Sequence, residues 1–305
     1  MKIEQEINNL LLNGFPTVTM FRINLFGKRL YCHSNPFKVY SGLTGALSAC
    51  TFRGNQESKR LDKWRDKMIN HLGGEGQQAY LNSMADFGTL VHECIVRAWN
   101  QKFLNWDEEK EIADAYFRES ALQNKIEVNE MVLQQQIFEY CKSAASLLSF
   151  LHHEVSELYA VEGMCFSDQL EIATPVDLFC KLKNGKTATL NIKTSSQISD
   201  SHREQVAIER LLWNSTYNNA DCTGIIRPKD WSMKKGIPTY ELEILKADDE
   251  KKLADNAVAR LMLAKNDENS TYLNFSKEVS SFSGETKLGE NPKIETKTLE
   301  SFFNQ

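Results

Sequence analysis

The segment TPVDLFCKLKNGKTATLNIKTSS, residues 174–196, has the pattern of two β-strands joined by a tight turn. The Asn-Gly pair at 184–185 is favoured in two-residue hairpin turns, and the flanking residues alternate with the period of a strand. The first strand carries Asp177, and the second carries Asn191 and Lys193. Because residues two apart on a strand share a face, we expect these three side chains to point to the same side of the sheet.

The regions on either side of this hairpin predict an α/β protein. A period near two from about residue 158 to 194 indicates three antiparallel strands, and two further strands are expected at 222–228 and 239–246. A β-rich hairpin is expected within residues 17–40. Helices are expected near 58–71, 77–100, 106–123, 128–153, 200–215 and 248–265. The predicted fold is a mixed sheet core flanked by helices, with a helical N-terminal portion.

The chain divides into a folded part and a polar tail. We expect one domain over residues 1–265, with its hairpin and helices at about 17–155 and its sheet core at about 156–250. Residues 266–305 are rich in Ser, Asn, Glu and Lys, which predicts a flexible tail.

Composition limits the classes of function. The 305 residues are 41% hydrophobic and 25% charged, as in ordinary globular proteins. No apolar run approaches the roughly 18 residues that span a bilayer, and the N-terminus does not have the pattern of a secretory signal, so a cytoplasmic protein is expected. The net charge of −5 disfavours a protein that coats nucleic acid, but it allows basic groups confined to one groove. The seven cysteines form no C-x-x-C pair, which favours reduced, buried thiols over a local metal site.

Six short segments carry a stronger signal because of their order. They are YSGLTGALS (40–48), LDKWR (61–65), FGTLVH (87–92), VE (161–162), PVD (175–177) and NIKT (191–194), followed by Gln205 on a predicted helix. Together they resemble the motifs of the PD-(D/E)xK nuclease superfamily, and within it the RecB-like exonucleases, a group that includes phage exonucleases and the mitochondrial genome maintenance exonuclease. The resemblance covers about residues 35–215. It departs from the family pattern at Phe87, where arginine is usual, at Asn191, where an acid is usual, and after Gln205, where a tyrosine is usual.

The resemblance implies a restriction-endonuclease-like sheet and a Mg²⁺ or Mn²⁺ site. His92 and Asp177 would be metal ligands, joined by Asn191 and the Ile192 carbonyl. Lys193 would orient or activate water and stabilise charge on the phosphate.

The remaining site residues follow from the same resemblance. Glu162 would be a further acid of the metal site, and Gln205 would hold DNA or the geometry of the site. Thr194 and Ser195 would reach phosphate oxygens. Lys63, Trp64 and Arg65 would contact DNA.

Each of these residues also has a structural interpretation. A histidine on an amphipathic helix, like His92, is more often a satisfied core residue, although its place after Gly88-Thr89 favours the metal role. Asp177 after a proline suits a turn or an edge, and Glu162 suits a strand surface. Trp64 and the neighbouring basic residues suit helix packing with a solvated face.

Asn191 leaves three explanations open. One is an engineered change that traps an inactive enzyme. The second is a natural residue compensated by a nearby acid, such as Glu162, Glu204 or Glu209, and the third is a protein that binds DNA without cutting it. An amide ligand carries no charge, so Mg²⁺ binding should weaken, and we predict cleavage that is weak and rises in Asn191→Asp.

The last residues resemble a sliding-clamp binding peptide, Q-x-x-L-x-x-F-F. Leu299, Phe302 and Phe303 occupy its apolar positions, whereas Thr296 replaces the glutamine. One short turn would place the three apolar side chains together on a flexible tether. The alternative is a tail that folds back onto its own domain.

The sequence therefore predicts a metal-dependent DNA exonuclease acting on single strands or DNA ends in phage-type replication, recombination or repair. The alternative from another class is a catalytically silent DNA-binding or replisome scaffold protein with the same fold.

Overall fold

The computed structural model describes residues 3–4, 10–11, 20–25, 28–34, 37–50, 66, 84–195, 197–217, 219–232 and 237–266. Its strands are β1 (Ile3–Glu4), β2 (Leu10–Leu11), β3 (Phe21–Leu25), β4 (Lys28–Ser34), β5 (Phe37–Gly42), β6 (Val155–Ser167), β7 (Ile172–Leu182), β8 (Thr187–Ile192), β9 (Cys222–Ser232) and β10 (Ile237–Ile244). Its helices are α1 (Leu43–Cys50), α2 (residues 84–101), α3 (Trp106–Gln123), α4 (Glu130–Glu154), α5 (Asp200–Thr216) and α6 (Ala247–Asn266).

Within the described residues, the ten strands form one mixed sheet. Its main path is β1-β3-β4-β5-β7-β8-β9-β10, and β6 pairs with the other edge of β7 and with β2. Most pairs are antiparallel, but β5 with β7 and β8 with β9 are parallel. The predicted α/β class, a mixed sheet flanked by helices, is confirmed.

Helices cover both faces of the sheet. One buried apolar cluster joins α2, α3 and α4 to β6–β9, and a second joins α1, α5 and α6 to the opposite face. Alternation along β8 sends Leu190 and Ile192 into the first cluster. Asn191, which lies between them, therefore faces α5.

Polar caps explain where three of the helices begin. Asn105 accepts a hydrogen bond from the Asp107 amide at the start of α3, and Asn129 accepts from two amides at the start of α4. Ser199 at the start of α5 forms a capping box with His202. Such caps satisfy amide groups that have no partner within the helix.

Most local predictions within the described residues are confirmed. The 184–185 turn joins β7 to β8, and Gly185 has the positive φ of 89° that such turns require. The helices at 106–123 and 200–215 and the strands at 222–228 and 239–246 occur with shifts of at most a few residues. All seven cysteines are free thiols, of which Cys50 and Cys141 are partly exposed and the others buried.

The hairpin expected within residues 17–40 is confirmed for the described residues, where β3 pairs antiparallel with β4, but the rest of the N-terminal region differs from the prediction. The first helix is predicted near 58–71, but residues 43–50 form the earlier helix α1, and β5 pairs in parallel with β7. The early strands therefore join the main sheet. The sequence does not predict this pairing, because a parallel partner far along the chain produces no local signal. The helix expected near 58–71 lies outside the described residues except for residue 66, as do residues 77–83 and the tail.

Across the described part of the chain, we find no helix that is both long and apolar enough to cross a lipid bilayer.

Candidate metal centre

Asp177 lies at a fork in the sheet. On one edge of β7 the ladder with β5 covers Ile172 and Ala173, whereas the ladder with β8 begins at Leu178. The Asp177 carboxylate accepts a hydrogen bond from the Ile192 amide, with 2.7 Å between Oδ2 and N, where the β8 ladder ends. The side chain therefore replaces a backbone partner and is fixed at this point.

Glu162 lies opposite Asp177 on the other neighbouring strand. The flanking pairs are Val161 with Leu178 and Gly163 with Val176, which places positions 162 and 177 side by side. Glu162 has a φ of 53°, in the left-handed region that non-glycine residues avoid. Backbone outliers of this kind concentrate at functional sites.

His92 reaches both acids from α2. Its Nδ1 lies 3.2 Å from Oε1 of Glu162, and its Nε2 lies 3.7 Å from Oδ2 of Asp177. One ligand atom from each of the three side chains fits within a mutual separation of 4.8 Å. The start of α2 also approaches the end of β8, since a Cβ placed on Gly88 would lie 3.7 Å from Thr194 Oγ1.

The charges of this triad are strongly coupled. Burial lowers the pKa of His92, but the Asp177 and Glu162 carboxylates outweigh it and raise that pKa to about 9. Burial raises the pKa of Asp177, which His92 partly offsets. A bound cation would stabilise both carboxylates in their charged form.

A second set of side chains connects β8 to α5. Lys193 Nζ donates to Gln205 Oε1 at 3.0 Å, and Gln205 Nε2 donates to Glu209 Oε1 at 2.7 Å. The Asn191 amide also donates to Glu209, with 3.2 Å between Nδ2 and Oε2. Asn191 and Lys193 thus share the α5 side of the sheet, as their spacing predicts.

Two features of this network suit a cation. Asn191 is 2% exposed, and its Oδ1 has no hydrogen-bond partner among the residues that the structure describes. Burial and the nearby Asp177 raise the pKa of Glu209 to about 8. Carboxylate and amide oxygens with one imidazole form a donor set that can hold a divalent cation.

The structure brings together most of the predicted site residues that it describes. His92, Glu162 and Asp177 form the triad, and the Asn191, Lys193 and Gln205 side chains lie in the α5 network. Ile192 donates its backbone amide to Asp177, and the metal contact expected of its carbonyl stays a prediction. Thr194 is half-buried and Ser195 exposed directly after Lys193.

Six predicted residues lie outside the described part of the chain. They are the three DNA-contact residues and the three clamp-peptide residues, Lys63, Trp64, Arg65, Leu299, Phe302 and Phe303.

Among the three acids suggested to compensate for Asn191, Glu209 contacts it. Glu204 instead forms an ion pair with Arg260. Sequence reasoning did not single out His202, whose ring Nδ1 accepts a hydrogen bond from the Ser199 amide. The signal for Glu209 was its spacing of four residues from Gln205, which puts both side chains on one face of α5.

Comparison with known proteins identifies no family. No family model matches the chain, and no curated protein matches it in sequence. One solved structure that aligns with it is described as "Crystal structure of SSO0001", with 15% identity and a TM-score of 0.21 over 67% of this chain and 96% of that chain. A TM-score this low does not establish a shared fold.

Proposed function

We propose that this chain is a Mg²⁺- or Mn²⁺-dependent deoxyribonuclease, an exonuclease that acts on single-stranded DNA or DNA ends. The observation that carries the proposal is the convergence of His92, Glu162 and Asp177 within 4.8 Å. These side chains come from one helix and two strands, and each was expected at the site from its sequence motif. The proposed setting, phage-type replication, recombination or repair in the host cytoplasm, rests on the family resemblance alone.

The site residues would have two roles, binding the cation and stabilising the substrate phosphate. His92, Glu162, Asp177 and the Asn191 oxygen would hold the cation. A divalent cation supplies Lewis acidity towards a phosphate oxygen. Lys193, whose ammonium donates to Gln205 at 3.0 Å, would offset the negative charge that develops on the phosphate.

The substrate backbone would run past the end of β8. Thr194 and the exposed Ser195 follow Lys193 directly and offer hydroxyl groups to phosphate oxygens. Lys63, Trp64 and Arg65 remain proposed DNA contacts on the sequence evidence.

A cleavage assay with a matched lysine control tests the proposal. End-labelled single- and double-stranded DNA is incubated with Mn²⁺ or Mg²⁺, with and without a chelator. We expect metal-dependent shortening that falls about 100-fold or more in Lys193→Met, the usual scale for losing a group that stabilises transition-state charge. Lys181→Met, which removes a surface lysine paired with Glu157, should leave the rate unchanged.

The second candidate is a DNA-binding protein that does not cut. Asn191 favours it, because the site holds one amide where a nuclease of this kind usually has a carboxylate. DNA that is bound but left intact with either metal would support this candidate over the nuclease. A chain that neither binds nor cuts DNA would exclude both.

A further inference from the structure

We infer that Glu209 is the positioning acid of this site: it supplies the carboxylate that position 191 lacks and orients the amides of Asn191 and Gln205. The inference rests on the proposed metal-dependent function. It concerns one buried side chain on α5 that the triad does not include.

Hydrogen bonds to the Glu209 carboxylate fix the orientation of both side-chain amides. Glu209 accepts from Asn191 Nδ2 at 3.2–3.3 Å and from Gln205 Nε2 at 2.7 Å. In a planar amide, fixing the NH₂ group fixes the oxygen on the other side. The Gln205 oxygen is thereby directed to Lys193, and the Asn191 oxygen is directed away from Glu209 and left for another partner.

The surroundings of Glu209 are unusual for a structural acid. The residue is 1% exposed, and the hydrogen-bond partners of its carboxylate among the described residues are these two neutral amides. The Lys193 ammonium donates its hydrogen bond to Gln205 and acts on Glu209 through its charge. A buried carboxylate is costly without a cation close by, and the triad beside Asp177 is where a cation would reduce that cost.

The other nearby acids have different contacts. Glu162 belongs to the triad on β6, and Glu204 is held by Arg260. Glu209 alone among the three faces Asn191. In this protein the strand carries the amide, Asn191, and the helix carries the acid, Glu209. This is the reverse of an acid on the strand hydrogen-bonded to an amide on the helix.

This exchange predicts how the substitutions should behave. Asn191→Asp alone places two buried carboxylates in contact, so the rise in cleavage that the sequence predicts for this variant should be smaller than in the double variant. Asn191→Asp combined with Glu209→Gln keeps one acid and one amide in the same hydrogen bond. The double variant should therefore retain a functional metal site.

The test measures Mn²⁺ affinity by calorimetry and metal-free melting temperature by circular dichroism, in wild type, E209Q, N191D and N191D/E209Q. We expect E209Q to bind Mn²⁺ about 10-fold or more weakly and the double variant to bind within about threefold of wild type, on the scale of outer-shell effects on metals. Without metal, N191D should melt lowest of the four. E204Q, on the same helix, is the control and should bind as wild type does.

Two results would overturn the inference. One is E209Q with unchanged Mn²⁺ affinity, and the other is a double variant that binds no better than E209Q. Should E209Q not fold, the double variant decides alone: affinity within about threefold of wild type supports the inference, and anything weaker overturns it.

The outcome also separates this inference from the proposed function. A wild-type chain that binds no Mn²⁺ defeats both. Mn²⁺ binding that is lost in Asp177→Asn but unaffected by Glu209→Gln leaves the metal site standing and defeats only the role of Glu209.

Discussion

Glu162 and Asp177 lie side by side on neighbouring antiparallel strands, and both carboxylates contact the imidazole of His92. Nδ1 of the ring is 3.2 Å from Glu162 and Nε2 is 3.7 Å from Asp177. Both ring nitrogens are thus directed at acids. This arrangement favours the charged imidazole or, in place of its added proton, a metal cation.

Removing the buried acid Asp177 should weaken metal binding without lowering the stability of the metal-free protein. Burial raises the pKa of Asp177, so Asp177→Asn should leave the metal-free melting temperature unchanged or higher, while the amide oxygen still accepts from Ile192. Mn²⁺ affinity should fall by more than about 100-fold, beyond the range typical of outer-shell changes. Thermal denaturation with and without Mn²⁺ measures both effects. Asp168→Asn, an exposed acid, is the control, and equal stabilisation of both variants by Mn²⁺ would contradict the metal site.

The capping box of α5 should make folding sensitive to acid. Burial, Lys193 and Arg203 lower the pKa of His202 to about 4. Its Nδ1 accepts a hydrogen bond from the Ser199 amide, which an unprotonated nitrogen can do. The unfolded value is about 6.5, so between pH 6.5 and 4 the unfolded chain binds more protons and stability falls as pH falls.

His202→Gln tests this dependence, since glutamine retains the capping acceptor but does not titrate. Urea denaturation at pH 7 and pH 5 should show a smaller acid loss in this variant than in wild type. His153→Gln, at an exposed histidine, should match wild type. An equal loss of stability in His202→Gln and wild type would show that His202 does not titrate during unfolding.

Two glycines beside the site should respond oppositely to alanine. A Cβ on Gly163 would lie 2.7 and 2.8 Å from ring atoms of Trp213, which is fully buried, so Gly163→Ala should destabilise the fold by about 1–3 kcal/mol. Among the described residues, a Cβ on Gly88 would meet only Thr194 Oγ1, at 3.7 Å, so Gly88→Ala inside α2 should stabilise the fold by up to about 1 kcal/mol. Free energies of unfolding in urea measure both, and a neutral Gly163→Ala would mean that Trp213 can move.

The C-terminal peptide is expected to bind a sliding clamp through its apolar residues. A fluorescent peptide of residues 296–305 should bind a clamp from a panel of purified clamps, and Phe302→Ala with Phe303→Ala should abolish that binding. Lys297→Ala is the matched control, because it lies outside the apolar positions of the motif. Deleting residues 296–305 from the full chain should abolish clamp binding and leave the melting temperature unchanged, whereas unchanged binding would exclude this role.

Much of the central fold could be predicted because its signals are local. The turn at 184–185, the period-two strands around it and the helix at 200–216 each depend on neighbours within a few residues. The α5 network was partly predictable for the same reason: Asn191 and Lys193 are two apart on one strand, and Gln205 and Glu209 are four apart on one helix.

The order of the motifs predicted that His92 and Glu162 belong to the site, but not how far apart their side chains lie. These residues are 70 positions apart, and only tertiary packing brings the ring of one within 3.2 Å of the other. The pairing of β5 with β7 was missed for the same reason, since parallel partners distant in sequence produce no local pattern.

Local sequence patterns predicted most strands and helices of the central fold and the kinds of side chain available, because backbone preference and alternation act over a few residues. Tertiary structure decided which of those side chains meet. The fork in the sheet at Asp177 opens a place for a carboxylate, and α5 brings Glu209 rather than Glu204 to Asn191, because long-range packing alone determines which faces of the elements come together.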